Sequence, residues 1–212
     1  MCYDLGRKRE RGQTLGSKRR AQGRRTVSSD AGSRRTYIIV GLIAVAFLAG
    51  FAALVIVDAR EKAASTPPGD VKTYDVGPAG QHTEGNVDYA QTPPVGGEHN
   101  PVWQNCGFYD KPVTDENAVH SLEHGAVWIT YRPDLPQDQV DILRDLAHSQ
   151  TYVLVSPYPD LPSPVVASAW GKQLRLQSAD DPDLERFVQA YRQGPQTPER
   201  GAACTGGIGQ PS

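Results

Sequence analysis

The sequence predicts an α+β protein with a single transmembrane helix near its N-terminus. One small extracytoplasmic domain follows, in which about three helices pack on a mixed or antiparallel sheet. Residues 38–57 (IIVGLIAVAFLAGFAALVIV) carry no charged side chain. Residues 71–194 are enough for one domain with one core. Within them, β-branched runs alternate with amphipathic helical patterns, as is typical of a sheet packed by helices.

The apolar run predicts a membrane-spanning helix over residues 37–57. About 20 apolar residues, at roughly 1.5 Å of rise each, cross a hydrocarbon core of roughly 30 Å. The apolar region of a signal peptide is usually only about 7–15 residues long. The segment that leaves the run, residues 57–62 (VDAREK), also lacks an A-x-A cleavage site. We therefore expect a retained anchor rather than a cleaved signal.

The arm before this helix, residues 1–36, is strongly basic. Through Tyr37 the chain carries eleven Lys or Arg and three acidic residues, a formal charge of +8. Basic flanks stay cytoplasmic, so residues 58–212 are expected outside a cell membrane that is crossed once. The arm has too few apolar residues to fold and is expected to be disordered and to contact anionic lipid. No nucleic-acid partner is expected, because the arm has few aromatic residues and the rest of the chain carries a formal charge of −10.

The first half of the outer region is predicted from turn residues and β-branched runs. Gly125 supplies the stop for a short helix. The predicted elements are a polar linker at 58–70, a strand at 71–76, a long ordered loop at 91–112, a helix from Thr114 or Asp115 to about His124, and a strand at 126–131.

The second half is predicted from helical periodicity. Val140, Leu143 and Ala147 share one face of a helix that opens at Pro136, and Asp181 with Pro182 forms an N-cap pair for another. The remaining elements are strands at 152–155, 165–170 and 173–177, and a Gly- and Pro-rich tail at 195–212 without periodicity. We expect the helices to cover one face of the sheet.

The cysteines predict one disulfide bond. Cys2 lies on the cytoplasmic side, where thiols stay reduced, whereas Cys106 and Cys204 both lie outside. A bond between them would pin the tail to the loop at 91–112. The alternative is that Cys106 is free or ligates a metal ion.

The histidines carry the candidate chemistry. Four of the five fall between residues 82 and 124, namely His82, His99, His120 and His124, whereas His148 ends an amphipathic helix and is expected at the surface. His120 and His124 are four residues apart, so their rings leave the same helix face. Such a set suits Zn²⁺ or Cu²⁺. The alternative is that these histidines only cap a helix end or make ordinary hydrogen bonds.

The sequence gives less support to three more specific motifs, those of a zinc hydrolase, an iron triad and a blue-copper site. Residues 120–124 (HSLEH) match the H-x-x-E-H pattern of a zinc hydrolase, in which Glu123 would be the general base. A glycine and a strand follow at once, and Glu199, a possible third ligand, belongs to the tail predicted to be loose. Residues 82–84 (HTE) are too short a signal for an iron triad, and Met1 is the only methionine, which argues against blue copper.

Three segments carry a family resemblance. They are PPVGGEHNPVWQNCGFYDKPVTDENAVHSLEHGAVWITYRPDL, YVLVSPYPDLPSPVVASAWGKQLRL and RQGPQTPERGAACTGG. Across about residues 70–207 the chain resembles the bacterial membrane-anchored family called domain of unknown function 3105. The resemblance implies a single-span envelope protein whose biochemical role is unassigned, and it offers no established catalytic role to carry over. The chain has PVGGEH at 94–99 where the family's loop has Pro-Thr-Ser-Gly-Pro-His, so it lacks that loop's serine hydroxyl.

The sequence therefore predicts a membrane-anchored extracytoplasmic protein that binds a transition metal through His82, His99, His120 and His124. One alternative is a metal-free accessory or structural subunit of an envelope complex with protein partners. The other is a metal-dependent hydrolase, for which Glu123 is the candidate catalytic residue. The prediction leans away from an enzyme.

Overall fold

The computed structural model describes residues 31–212, with residues 31–33 and 60–65 described by their backbone alone. The prediction of a reduced Cys2 lies outside the described residues, as does the disordered arm predicted for residues 1–36 over its first 30 residues. Residues 31–36 of that predicted arm are helical. The chain divides into two units, residues 1–51 and residues 52–212, and each is described by itself.

The apolar run forms the helix α1 (Ala31–Ser65). Its residues 34–59 are long and apolar enough to cross a membrane, with a mean hydropathy of 2.8, and their side chains are exposed. The helix predicted for residues 37–57 lies inside α1. The structure differs over residues 58–65, which were predicted to be linker, because this segment (DAREKAAS) is rich in helix-forming Ala, Arg, Glu and Lys and continues the helix.

The described residues after α1 contain one six-stranded sheet, in the order β1-β6-β5-β3-β4-β2. Strand β4 is parallel to β3 and to β2, and the other pairs are antiparallel. The predicted α+β class with a mixed sheet is confirmed. The strands are β1 (Lys72–Thr73), β2 (Gly107–Phe108), β3 (Val127–Tyr131), β4 (Val153–Pro157), β5 (Val165–Ala169) and β6 (Lys172–Leu176).

Three helices pack on this sheet: α2 (Asp115–Glu123), α3 (Gln137–Ser149) and α4 (Pro182–Tyr191). Helix α3 connects the parallel strands β3 and β4, which need such a crossover. Helix α4 begins as the sequence predicts, because the carboxylate of Asp181 accepts a hydrogen bond from the amide of Asp183 at 2.9 Å.

The helices lie on both faces of the sheet, and the expectation of a single covered face was wrong. Alternate residues of a strand point to opposite faces. Ile129 therefore packs in a core with Leu143 of α3 and Phe187 of α4, whereas Trp128 packs with Leu122 of α2. The sequence shows which residues are apolar, but assigning α2 to a face requires the strand order.

Two short edge strands differ from the prediction. The predicted strand at 71–76 pairs with β6 over Lys72 and Thr73 alone. Strand β2 lies inside the segment predicted as a loop, where Gly107 pairs with Leu154 and Phe108 with Val155. A strand of two residues amid Gly and Pro is too short to produce an alternating pattern.

The tail packs on the domain. Cys106 and Cys204 form the predicted disulfide bond, and the amide of Cys106 donates to the carbonyl of Cys204 at 2.8 Å. Beyond the bond, Ile208 accepts from the amide of Asn105 at 2.9 Å and donates to the carbonyl of Trp103 at 2.9 Å. The backbone of residues 204–212 is thus hydrogen-bonded to the loop at 91–112 at several points.

Candidate metal centre

A bridge between two loop segments brings the first two histidines together. The amide of His99 donates to the carbonyl of Gln81 at 2.9 Å, and its carbonyl accepts from the amide of Thr83 at 2.8 Å. The ring centroids of His82 and His99 are consequently 4.9 Å apart. Because this pairing is a single bridge outside the named strands, hydrophobic periodicity gives no sign of it.

Helix α2 supplies the other side of the site. Val119 and Leu122 bury one side of this helix in the core with Trp128. His120 then lies against the loops, with its ring centroid 4.9 Å from that of His99 and 5.1 Å from that of His82. The apolar face of α2 therefore fixes the orientation of the ligand-bearing face.

Four side chains form one compact group that could hold a metal ion. One potential ligand atom from each of His82, His99, His120 and Glu123 lies within 4.8 Å of all the others. His99, His120 and Glu123 are buried, whereas the side chain of His82 is 40% exposed. The group is therefore enclosed by protein on most sides and reaches solvent at His82.

Three histidines are fixed by hydrogen bonds from their Nδ1 atoms to backbone carbonyls. The acceptors are Gly97 for His99 at 2.7 Å, Asn100 for His120 at 2.6 Å and Ala203 for His124 at 2.6 Å. A carbonyl oxygen only accepts, so each Nδ1 carries a hydrogen. In the neutral imidazole, Nε2 is then left with a bare lone pair. This arrangement is typical of histidines that ligate metals.

The bare Nε2 atoms face other acceptors. Nε2 of His120 lies 2.9 Å from Nε2 of His124, and Nε2 of His99 lies 3.0 Å from Oε2 of Glu123. With each Nδ1 carrying the hydrogen of a neutral ring, neither contact has a donor. A positive charge at the centre, either a proton or a metal ion, is needed to make these contacts favourable.

Glu123 brings a buried negative charge to the same place. Its side chain is fully buried, and its Oε1 accepts from the amide of Gly80 at 2.6 Å. Its Oε2 lies 3.0 Å from Nε2 of His99 and 3.9 Å from Nε2 of His82. A carboxylate so enclosed is costly unless a cation or several donors compensate it.

Burial keeps His120 neutral. Removal from solvent lowers the pKa of His120 to about 4, although the hydrogen bond to the carbonyl of Asn100 opposes the shift. At neutral pH the ring is therefore uncharged and its Nε2 lone pair is available. A neutral imidazole is the form that binds transition metals.

Two tryptophans wall the site. The ring of Trp103 lies 5.8 Å from that of His120 and 5.1 Å from that of His124, measured between centroids. Trp170 packs edge-on against His99 at 5.9 Å. Such an apolar shell limits the access of water and strengthens electrostatic attraction inside it.

The tail reaches the site as well. The amide of Glu199 donates to the carbonyl of Glu123 at 3.0 Å, and Oε2 of Glu199 lies 3.5 Å from Nε2 of His124. The side chain of Glu199 is 50% exposed. The expectation that this residue belongs to a loose tail was wrong, because the disulfide at Cys204 and these hydrogen bonds hold the segment in place.

Three of the four predicted ligands, His82, His99 and His120, come together in the compact group. Glu123 joins them as a possible ligand. His124 lies outside that group, beside His120. The prediction gave Glu123 only the role of a base, although its position three residues after His120 could have indicated a shared helix face. His148 is exposed, as expected.

Comparison with known proteins identifies a family. A family model described as "Protein of unknown function (DUF3105)" matches residues 81–206, which contain all the side chains of the site. A search of curated proteins found no match, and a search of solved structures found none either.

Proposed function

This chain belongs to that family of unknown function, which supplies no activity to carry over, and we propose from the geometry that the domain binds a transition-metal ion. The proposed ligands are His82, His99, His120 and Glu123. The observation that carries the proposal is the convergence of ligand atoms from these four side chains to within 4.8 Å of one another, with Nε2 of His99 only 3.0 Å from the buried carboxylate of Glu123. A metal ion between such acceptors turns an unfavourable contact into bonds.

The donor set indicates the class of ion. Three imidazole nitrogens and one carboxylate suit Zn²⁺ and Cu²⁺ better than Mg²⁺ or Ca²⁺, which prefer oxygen ligands. Ligand nitrogens about 2.1 Å from zinc lie roughly 3.4 Å apart in a tetrahedron. The present spread, up to 4.8 Å, therefore contracts on binding. His82, which is 40% exposed, has the most freedom to move inward.

Elemental analysis tests this function. The full chain is purified in detergent with its disulfide intact, loaded with Zn²⁺ or Cu²⁺ and passed through a desalting column. We expect at least one ion per chain in the wild type, and the loss of at least one ion in His99→Ala and in Glu123→Gln. His148→Ala is the matched control, because that histidine is exposed and bonds to the carbonyl of Ser212 at 3.0 Å.

Two results would overturn the proposal: no retained metal, or a metal content that His99→Ala and Glu123→Gln leave unchanged. A metal-free protein that still co-purifies with the same envelope proteins after these substitutions would support the accessory-subunit alternative instead.

We also propose that α1 anchors the chain in a cell membrane, with the basic arm inside and the domain outside. The exposed apolar span, the basic residues before it and the disulfide bond, which is typical of oxidising compartments, support this topology. An impermeant thiol reagent on intact cells tests it. Ser212→Cys should react at once, whereas Cys2 should react only after lysis, and the reverse order would contradict the topology.

A further inference from the structure

We infer that the centre holds a second cation position, formed by His120, His124 and Glu199, beside the one proposed above. This inference rests on the proposed function, because His120 is a candidate ligand in both positions. It assigns a role to His124 and Glu199, which lie outside the compact four-residue group.

His120 and His124 face each other across the proposed second position. The rings of His120 and His124 are nearly perpendicular, at 84°, with Nε2 atoms 2.9 Å apart. Both Nδ1 hydrogens are already donated, to the carbonyls of Asn100 and Ala203. Two bare nitrogens at this separation are close to the spacing of two ligands on one ion, about 3.4 Å for zinc. The pair is therefore arranged as a chelate.

Glu199 places a carboxylate beside this histidine pair. Oε2 of Glu199 lies 3.5 Å from Nε2 of His124, on a segment whose backbone is fixed at several points. The amide of Glu199 bonds to Glu123, the carbonyl of Ala202 accepts from the hydroxyl of Tyr152 at 2.9 Å, and Cys204 is disulfide-bonded. Glu199 therefore presents its carboxylate to His124 from a backbone that is held in place.

The six side chains can be divided evenly between two ions. Each Nε2 has one lone pair, so His120 can serve only one ion. When both ions are bound, His120 belongs to the second position with His124 and Glu199, and the first keeps His82, His99 and Glu123. Each position then has two imidazoles and one carboxylate, a donor set that suits zinc and iron(II) and leaves sites for water.

The metal stoichiometry of the full-length protein in detergent tests the inference. Wild-type protein loaded with Cu²⁺ or Zn²⁺ should hold two ions per chain. Glu199→Gln and His124→Ala should each halve this content, whereas the His148→Ala control should not change it. Glu199 is half exposed, so the isosteric Gln is expected to leave the fold intact, and thermal melting of the metal-free variants checks this.

Paramagnetic resonance of the Cu²⁺-loaded protein gives a second readout. Two neighbouring Cu²⁺ ions couple, so the wild type should show a weakened or half-field signal, and Glu199→Gln should show the full signal of one isolated ion. A wild type that binds one ion with an uncoupled spectrum, or a Glu199→Gln protein that still binds two, would overturn the inference. A wild type that binds none would overturn the proposed function itself.

Discussion

The Nδ1 of His124 donates to the carbonyl of Ala203 at 2.6 Å, one residue before the disulfide-bonded Cys204. The bond between Cys106 and Cys204 therefore supports the centre from a distance, because it holds the carbonyl that orients a histidine ring.

Removal of this bond should destabilise the domain. The bond spans 98 residues, and in the chain-entropy model a loop of about this length stabilises the fold by up to about 4.7 kcal/mol. We expect Cys106→Ser with Cys204→Ser to lower the free energy of unfolding by roughly 2–5 kcal/mol in denaturant titrations. The unfolded, unreduced wild type should expose one thiol, that of Cys2, and three free thiols would contradict the disulfide.

Substitution of Gly125 should disturb both the fold and His124. Its φ is +100°, and an added Cβ would meet the side chains of Gln193 and Thr197. Gln193 also donates to the carbonyl of His124 at 2.6 Å. We expect Gly125→Ala to lower the free energy of unfolding by about 2–4 kcal/mol, as the sum of backbone strain and steric overlap.

Gly77→Ala is the matched control for this substitution. Gly77 also has a positive φ, +73°, but a Cβ there would meet no atom within 4 Å among the described residues. It should therefore cost only the backbone strain, about 1 kcal/mol. Equal losses for the two variants would show that contact with Gln193 and Thr197 does not matter.

Trp128 should be a principal contributor to the core beneath α2. It is fully buried, and its Nε1 donates to the hydroxyl of Ser156 at 3.0 Å. Trp128→Phe leaves a cavity and deprives the buried Ser156 hydroxyl of a donor, so we expect a loss of about 1–3 kcal/mol in unfolding free energy. Ile142→Ala, at a site that is 39% exposed, should change it by less than about 0.5 kcal/mol. A Trp128→Phe variant as stable as the wild type would contradict this assignment.

Tryptophan fluorescence should distinguish the two ion positions. Cu²⁺ quenches nearby indoles, and Trp103 lies against His120 and His124 whereas Trp170 lies against His99. We expect Trp103→Phe and Trp170→Phe each to reduce the quenched fraction. Introducing Glu199→Gln should abolish mainly the part that depends on Trp103. Quenching that neither tryptophan substitution alters would place the bound copper elsewhere.

The regular elements could be predicted because their signals are local. The helical spacing of Val140, Leu143 and Ala147 and the N-cap pair at Asp181 and Pro182 depend on a few adjacent residues, and α3 and α4 form where these predict. The face that α2 covers depends on strand order, which couples distant segments. Local patterns therefore predicted the presence of the helix and not its side of the sheet.

The residues of the candidate site also divide into those that local sequence signals indicate and one that depends on distant contacts. The concentration of histidines pointed to His82, His99 and His120, and spacing along α2 pointed to His124. Glu199 was set aside because its neighbours are Gly and Pro, a composition typical of loose tails. Its position follows from the disulfide at Cys204 and from a hydrogen bond to the backbone of Glu123, contacts between residues far apart in sequence.

Under the proposed function the ligands lie far apart in sequence, from His82 to Glu123, so that metal binding is linked to folding. An unfolded chain has no comparable chelate, so an ion that prefers the native state adds about 4 kcal/mol to stability when present at a thousandfold excess over its dissociation constant. The lifetime of the folded domain then follows the supply of metal in its surroundings. When the ion is scarce, the first expected effect is increased proteolysis of the unfolded domain.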